Sequence, residues 1–164
     1  MFLALAIIII GLIFLMFSVV VLSGAPYVPT LNASATQALK LLDLKPGQTF
    51  ADLGSGDGRV LAVAASRGLV VIGYELNPLL VLAARWRLRA YKNAQVHWGS
   101  FWRADLTGTD GVFIFLVDMH MKRLDKFLSS QTGPLKIVSH AFEIPGKKPA
   151  KRSGAMLLYV YTRK

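Results

Sequence analysis

The chain opens on one long apolar run and then breaks into short apolar bursts separated by polar turns. Phe2 to Leu22 is 21 residues interrupted only by Gly11 and Ser18, and no charged side chain precedes Lys40. At about 1.5 Å rise per residue that run spans a hydrocarbon core of about 30 Å, which predicts a transmembrane helix. A cleaved signal peptide is the rival reading, with small residues at Ser23, Gly24 and Ala25. The run exceeds the roughly 7–15 residues of a signal core, and no basic residue leads it. Further on, Thr30 to Ala35 offers caps for a helix ending near Leu42, and Lys45-Pro46-Gly47 stops it. Strands are predicted at Phe50–Leu53, Leu69–Tyr74, Gln95–Trp98, Gly111–Val117 and Leu135–Ala141. Helices fall between them at Arg59–Ser66, from Asn77-Pro78 to about Tyr91, and at Met121–Ser129. A hairpin around Ser153-Gly154 closes the chain. Strands alternating with helices imply an α/β fold, a doubly wound and mostly parallel sheet with an antiparallel edge, behind the amino-terminal membrane helix.

Composition changes this picture in two ways. Removing the first 24 residues leaves about 140, enough for one core and too few for two. The 19 Lys and Arg against nine Asp and Glu, a net charge of +10, all follow the apolar run, so the positive-inside rule turns the folded part toward the cytoplasm. Exposed basic groups beside anionic lipid are each worth about 1 kcal/mol, and Arg85, Arg89, Lys92, Lys147, Lys148, Lys151 and Arg152 are candidates for a membrane-facing surface. A solvated basic face is the plainer alternative. Charge alone admits a nucleic-acid partner, but no binding module accompanies it, and none is expected. Cysteine is absent, and His97 and His140 have no acidic spacing suited to a metal.

The chemistry concentrates at Asp52-Leu53-Gly54-Ser55-Gly56-Asp57-Gly58-Arg59, with Glu75 ending the next predicted strand. Strand, glycine loop, helix and strand-end carboxylate outline a nucleoside site, in which the acid accepts hydrogen bonds from ribose hydroxyls. A dinucleotide fingerprint places its third glycine three residues after the second; here that position is Arg59, and the glycine comes earlier, at Gly58.

The Asp-x-Gly-x-Gly-x-Gly run resembles motif I of the class I methyltransferases that use S-adenosylmethionine (SAM). Together with Gly24-Ala25-Pro26-Tyr27-Val28-Pro29-Thr30 and Gly73 to Pro78, it makes the chain similar to the membrane-anchored lysine methyltransferases whose eukaryotic members modify the adenine nucleotide carrier and the c-subunit of ATP synthase. The resemblance implies a Rossmann-like methyltransferase domain over residues 25–164 behind an anchor at 1–24. It implies that Asp52, Gly54, Ser55, Gly56, Asp57 and Gly58 shape the loop holding the amino-acid end of SAM. Glu75 takes the ribose, Leu76 packs near adenine, and Ser100 and Phe101 occupy the segment where many relatives place an Asp against the adenine amino group. Tyr27 and Pro29 then fold over the methyl group as part of a substrate channel; an interfacial tyrosine followed by a stiff linker is the bland alternative.

After the fourth predicted strand comes Leu116-Val117-Asp118-Met119-His120, without the Asn-Pro-Pro-Tyr type of motif used on DNA bases and glutamine. Asp118 is a candidate to accept hydrogen bonds from an incoming amine, or is a helix cap; His120 is a candidate to remove a proton from that amine, though a solvent-facing side chain is the favoured reading. The expected activity is SAM-dependent methylation of a lysine in a membrane or membrane-associated protein. A lipid-soluble small molecule as acceptor, or a SAM-binding module without catalysis, remain the alternatives.

Overall fold

The computed structural model describes residues 2–8, 10–11 and 30–162. Residues 2–8 and 10–11 are helical and exposed. Among the described residues no helix is long and apolar enough to cross a membrane. Most of the segment read as an anchor, and both Tyr27 and Pro29, lie outside the described residues.

From Asn32 onward the chain runs α1 (Asn32–Leu42), β1 (Thr49–Leu53), α2 (Arg59–Ala65), β2 (Val70–Glu75), α3 (Pro78–Leu88) and β3 (Ala94–Trp98). It continues through a 3₁₀ turn (Phe101–Arg103), β4 (Gly111–Ile114), a second 3₁₀ turn (Asp118–His120), α4 (Met121–Ser130), β5 (Leu135–His140), β6 (Lys151–Ser153) and β7 (Met156–Tyr161). The seven strands form one sheet in the order β3-β2-β1-β4-β5-β7-β6. β1 to β5 pair in parallel, and β7 pairs antiparallel with both β5 and β6. The predicted antiparallel edge is thus an antiparallel strand one place in, with the three-residue β6 outside it.

Alternation along the strands divides the core between the two faces of the sheet. Phe50, Val71, Phe113 and Val138 face α1, α2 and α3, which bury Ala38, Leu42, Leu61, Ala64, Val81 and Ala84 against them. Ala51, Val112, Ile114 and Ile137 face the other way, toward Met121, Leu124 and Leu128 of α4 and toward Phe101. Each fully buried aliphatic side chain contributes about 1.5–3 kcal/mol through removal of apolar surface from water.

Local chemistry explains most boundaries. Asn77 caps α3 as predicted, its Oδ1 accepting from Leu79 N at 2.9 Å, with Pro78 in the first turn. α1 has no such side-chain cap: Leu31 holds the cap position, and the predicted capping residues of Thr30–Ala35 are not used that way. At its other end Asp43 turns left-handed, φ 46°, and Lys45-Pro46-Gly47 follows. β4 stops at Ile114 rather than Val117, because Ile114 pairs with Leu53 and Ser139 and the flanking ladders end there.

Candidate active site

The glycine loop leaves β1 at the carboxyl edge of the sheet, beside the end of β2. The N–H groups of Gly54 and Ser55 both donate to Tyr74 O at 2.9 Å, which holds the first turn of the loop against β2. Gly54, Gly56 and Gly58 have φ of 99°, 54° and 77°, the left-handed region that glycine enters without a steric penalty. Gly54 faces open space: a side chain there would meet nothing within 4 Å. Gly58 has a different reason to be glycine, since a Cβ would lie 2.9 Å from Ala84 Cβ and 3.1 Å from Ala84 Cα. Its bareness lets α2 start against α3.

Glu75 closes the crevice from the β2 side. Its Oε2 accepts from Gly56 N at 2.9 Å and its Oε1 from Asn77 N at 2.8 Å, and the residue is buried. A carboxylate has about four lone-pair sites, so two remain for hydroxyl donors. Asp52 lies on the same face of the sheet, buried and in register with Gly73. Burial, then the negative charges of Glu75 and Asp57, push its carboxyl up to about 8.

Asp57 is engaged on the helix side. It receives Arg59 Nε at 3.0 Å and Nη2 at 2.8 Å, and Arg87 Nη2 at 2.7 Å, while Arg87 Nε reaches the Asp57 carbonyl at 2.9 Å. Burial opposes its charge, but the Arg59 hydrogen bonds and the Arg87 and Arg59 charges outweigh it and hold the carboxyl below the usual range. Ser55 turns inward as well: its buried Oγ has no hydrogen-bond partner among the described residues and occupies the space beside Gly73, 2.7 Å from where a Cβ would be. The Asp57 and Ser55 side chains therefore shape the loop, and Gly54, Gly56, Asp52 and Glu75 surround the crevice.

The remaining candidates separate. Leu76 is half-buried, and its carbonyl accepts Trp98 Nε1 at 3.0 Å. Ser100 helps line a cleft of about 340 Å³ with Tyr74, His97, Trp98, Gly99 and Arg103. Phe101 points into the second core, 4.4 Å between ring centroids from Trp102 and 6.3 Å from Phe127. Trp102 packs with Phe127 and under Arg123, so its ring is structural. Asp118 is exposed beyond β4 and holds the cap position of neither the second 3₁₀ turn nor α4, which fall to Val117 and His120. His120 is half-buried with its ring edge-on to Trp102, not solvent-facing as expected.

Sequence reasoning passed over two features. Arg87 is 30 residues from Asp57, and no local pattern announces such a pair. His140, at the end of β5, packs against Phe115 with centroids 4.4 Å apart and the rings tilted by 41°; its buried Nδ1 has no partner among the described residues, and burial lowers its pKa. Among the described residues no three His, Asp or Glu side chains converge on a metal position.

Residues 52–151, from the buried Asp52 to the first residue of β6, match the family model described as the ANTKMT methyltransferase domain. The chain belongs to that family. It is a family of SAM-dependent methyltransferases, and the loop and the Glu75 carboxylate both lie within the matched region. The chain is 36% identical over 130 residues to the adenine nucleotide translocase lysine N-methyltransferase of Mus musculus, covering 74% of this chain and 56% of that one. To the Xenopus laevis lysine N-methyltransferase named for the c-subunit of ATP synthase it is 32% identical over 128 residues, 76% of this chain and 56% of the relative. The chain thus spans little more than half the length of these relatives. Among solved structures, the RNA methyltransferase from Salinibacter ruber in complex with S-adenosyl-L-homocysteine superposes with a TM-score of 0.75 at 27% identity, over 82% of this chain and 93% of that one.

Proposed function

We propose that this chain is a SAM-dependent protein-lysine N-methyltransferase, held at a membrane by residues 2–22 with its folded domain in the cytoplasm, and that its acceptor is a lysine of a membrane or membrane-associated protein. One observation carries the reading: the buried Glu75 carboxylate, bonded at 2.9 Å to Gly56 N across the mouth of a left-handed glycine loop. The residues fit a sulfonium nucleoside. Glu75 has acceptor capacity left for ribose hydroxyls, Gly54 leaves room for the amino-acid end, and Asp52 stands by as a carboxyl that a nearby cation would ionise. When bound, SAM supplies a methyl group activated by its positive sulfur.

The chain's own work is alignment and desolvation, which supply most of the acceleration in such transfers. A lysine acceptor carries a proton at neutral pH, with an ordinary pKa of about 10.4, and an apolar wall lowers that value. Phe115, packed against His140, provides such a wall beyond β4. Asp118 accepts hydrogen bonds from the arriving ammonium and orients it, and the proton leaves to water. The lysine acceptor is supported by the relatives named for lysine methylation. Tyr27 and Pro29 complete the channel, as the family resemblance implies.

Incubating the full chain and its own membranes with methyl-labelled SAM tests this. Label should appear in protein bands as methyllysine. Label confined to the organic extract or to RNA, or no label despite SAM binding, would overturn it. Glu75→Ala should weaken SAM binding measured by calorimetry by up to a few kcal/mol, through lost charge-assisted hydrogen bonds; unchanged binding would displace the site.

A further inference from the structure

α3 is apolar on both sides. Val81, Ala84 and Leu88 face inward, while Leu79, Leu82 and Trp86 face outward at 49%, 61% and 68% exposure. The outward three stand at i, i+3 and i+7, one stripe along the helix. Trp98, 68% exposed at the end of the edge strand β3, donates Nε1 to Leu76 O just before α3, which fixes its indole beside the start of the stripe. Arg85 reaches across to Val96 O at 2.8 Å and ties the helix to β3, and the Arg89 guanidinium lies 4.2 Å from the Trp86 ring centroid. From Leu76 to Ala104 the sequence holds Arg85, Arg87, Arg89, Lys92 and Arg103 and no Asp or Glu.

Exposed indoles, leucines and arginines on one surface ask for a partner with an apolar phase and a negative skin. A bilayer interface supplies both: indole rings concentrate at headgroup depth, and arginine stems lie along apolar surface while their heads meet phosphate. Nucleic acid would satisfy the arginines and leave Leu79 and Leu82 in water. Geometry favours the bilayer too. α3 starts at the carboxyl edge of the sheet, where β2 ends. α1 leads down into the start of β1, so its amino end, with Leu31 68% exposed, lies at that same edge. The chain before α1, apolar and helical over residues 2–8 and 10–11, departs from there. We infer that the outer face of α3, with Trp98, is a docking surface for a bilayer containing anionic lipid, and that it sets the crevice mouth toward the membrane. The surface stands apart from methyl transfer and is tested without it.

Single-tryptophan forms of the full chain, one keeping Trp86 (W98F, W102F) and one keeping Trp102 (W86F, W98F), are mixed with vesicles of brominated phosphatidylcholine with and without phosphatidylglycerol. Trp86 fluorescence should shift to the blue and be quenched on the anionic vesicles, and Trp102, packed under Arg123, should be quenched far less. Leu82→Glu should lose the Trp86 quenching while keeping the SAM affinity of its parent, and Arg89→Gln should weaken the anionic dependence about fivefold. Trp86 left unquenched, quenching indifferent to Leu82→Glu, or Trp86 protected by RNA or a second protein chain and not by vesicles would each overturn the inference.

Discussion

Asp52 sits where the motif and the stability of the fold oppose each other. Its carboxyl is pushed up to about 8, first by burial and then by Glu75 and Asp57, against an ordinary value of 3.8. Because the folded value is the higher one, the native state holds an extra proton between about pH 4 and 8. The associated stability is fully present below that window and is lost as pH rises through it, by up to about 1.4 kcal/mol per pH unit. Urea midpoints measured from pH 5 to 8 should therefore fall for the wild type, and Asp52→Asn should flatten that slope. SAM brings positive charge toward Asp52, so calorimetry in buffers of different ionisation heat should record proton release on binding below pH 8 and none for the variant. A wild-type stability curve without slope would mean that Asp52 is solvated rather than enclosed.

At the scale of elements, the helix that follows the loop depends on a missing side chain. Gly58→Ala would meet Ala84 at 2.9 Å and hold an alanine at φ 77°, and the backbone term alone costs about 1–3 kcal/mol. Thermal unfolding should show a lower midpoint, as it should for Gly73→Ala, whose methyl would come within 2.5 Å of Leu61 Cδ1; an unchanged midpoint would mean that α2 or Leu61 yields freely. The sequence announced these elements because strands alternate with period two and because Asn77-Pro78 carries its cap in two adjacent letters. It announced the crevice for a similar reason, since Asp52, the glycines and Glu75 all sit at strand ends. What it withheld depends on distant partners. Nothing local says that β4 ends with its neighbours at Ile114, that Phe101 turns into the core, that Asp57 is held by Arg87, or that β7 slips between β5 and β6.

As a whole, the molecule puts its helices unevenly. Among the described residues from 30 onward, three helices cover one face, and α4 with two 3₁₀ turns covers the other, with no helix between β5 and β6. The crevice is assembled from β1, β2 and the loop between them. Deleting Met1 to Ser23 is expected to leave SAM affinity unchanged by calorimetry. It should also turn salt-resistant membrane attachment into attachment that high salt removes, because screened charge and a shallow apolar face would be all that remains. A truncated chain that still resisted salt would place the anchor elsewhere.

One helix serves two clients. Arg87 grips the carbonyl and carboxylate of Asp57 from the side of α3, and Trp86 stands next to it on the outer face. A force applied to the outside of this rod reaches the glycine hairpin through two hydrogen bonds, without having to bend the sheet. Whatever leans on Trp86 is in mechanical touch with the loop that Glu75 faces.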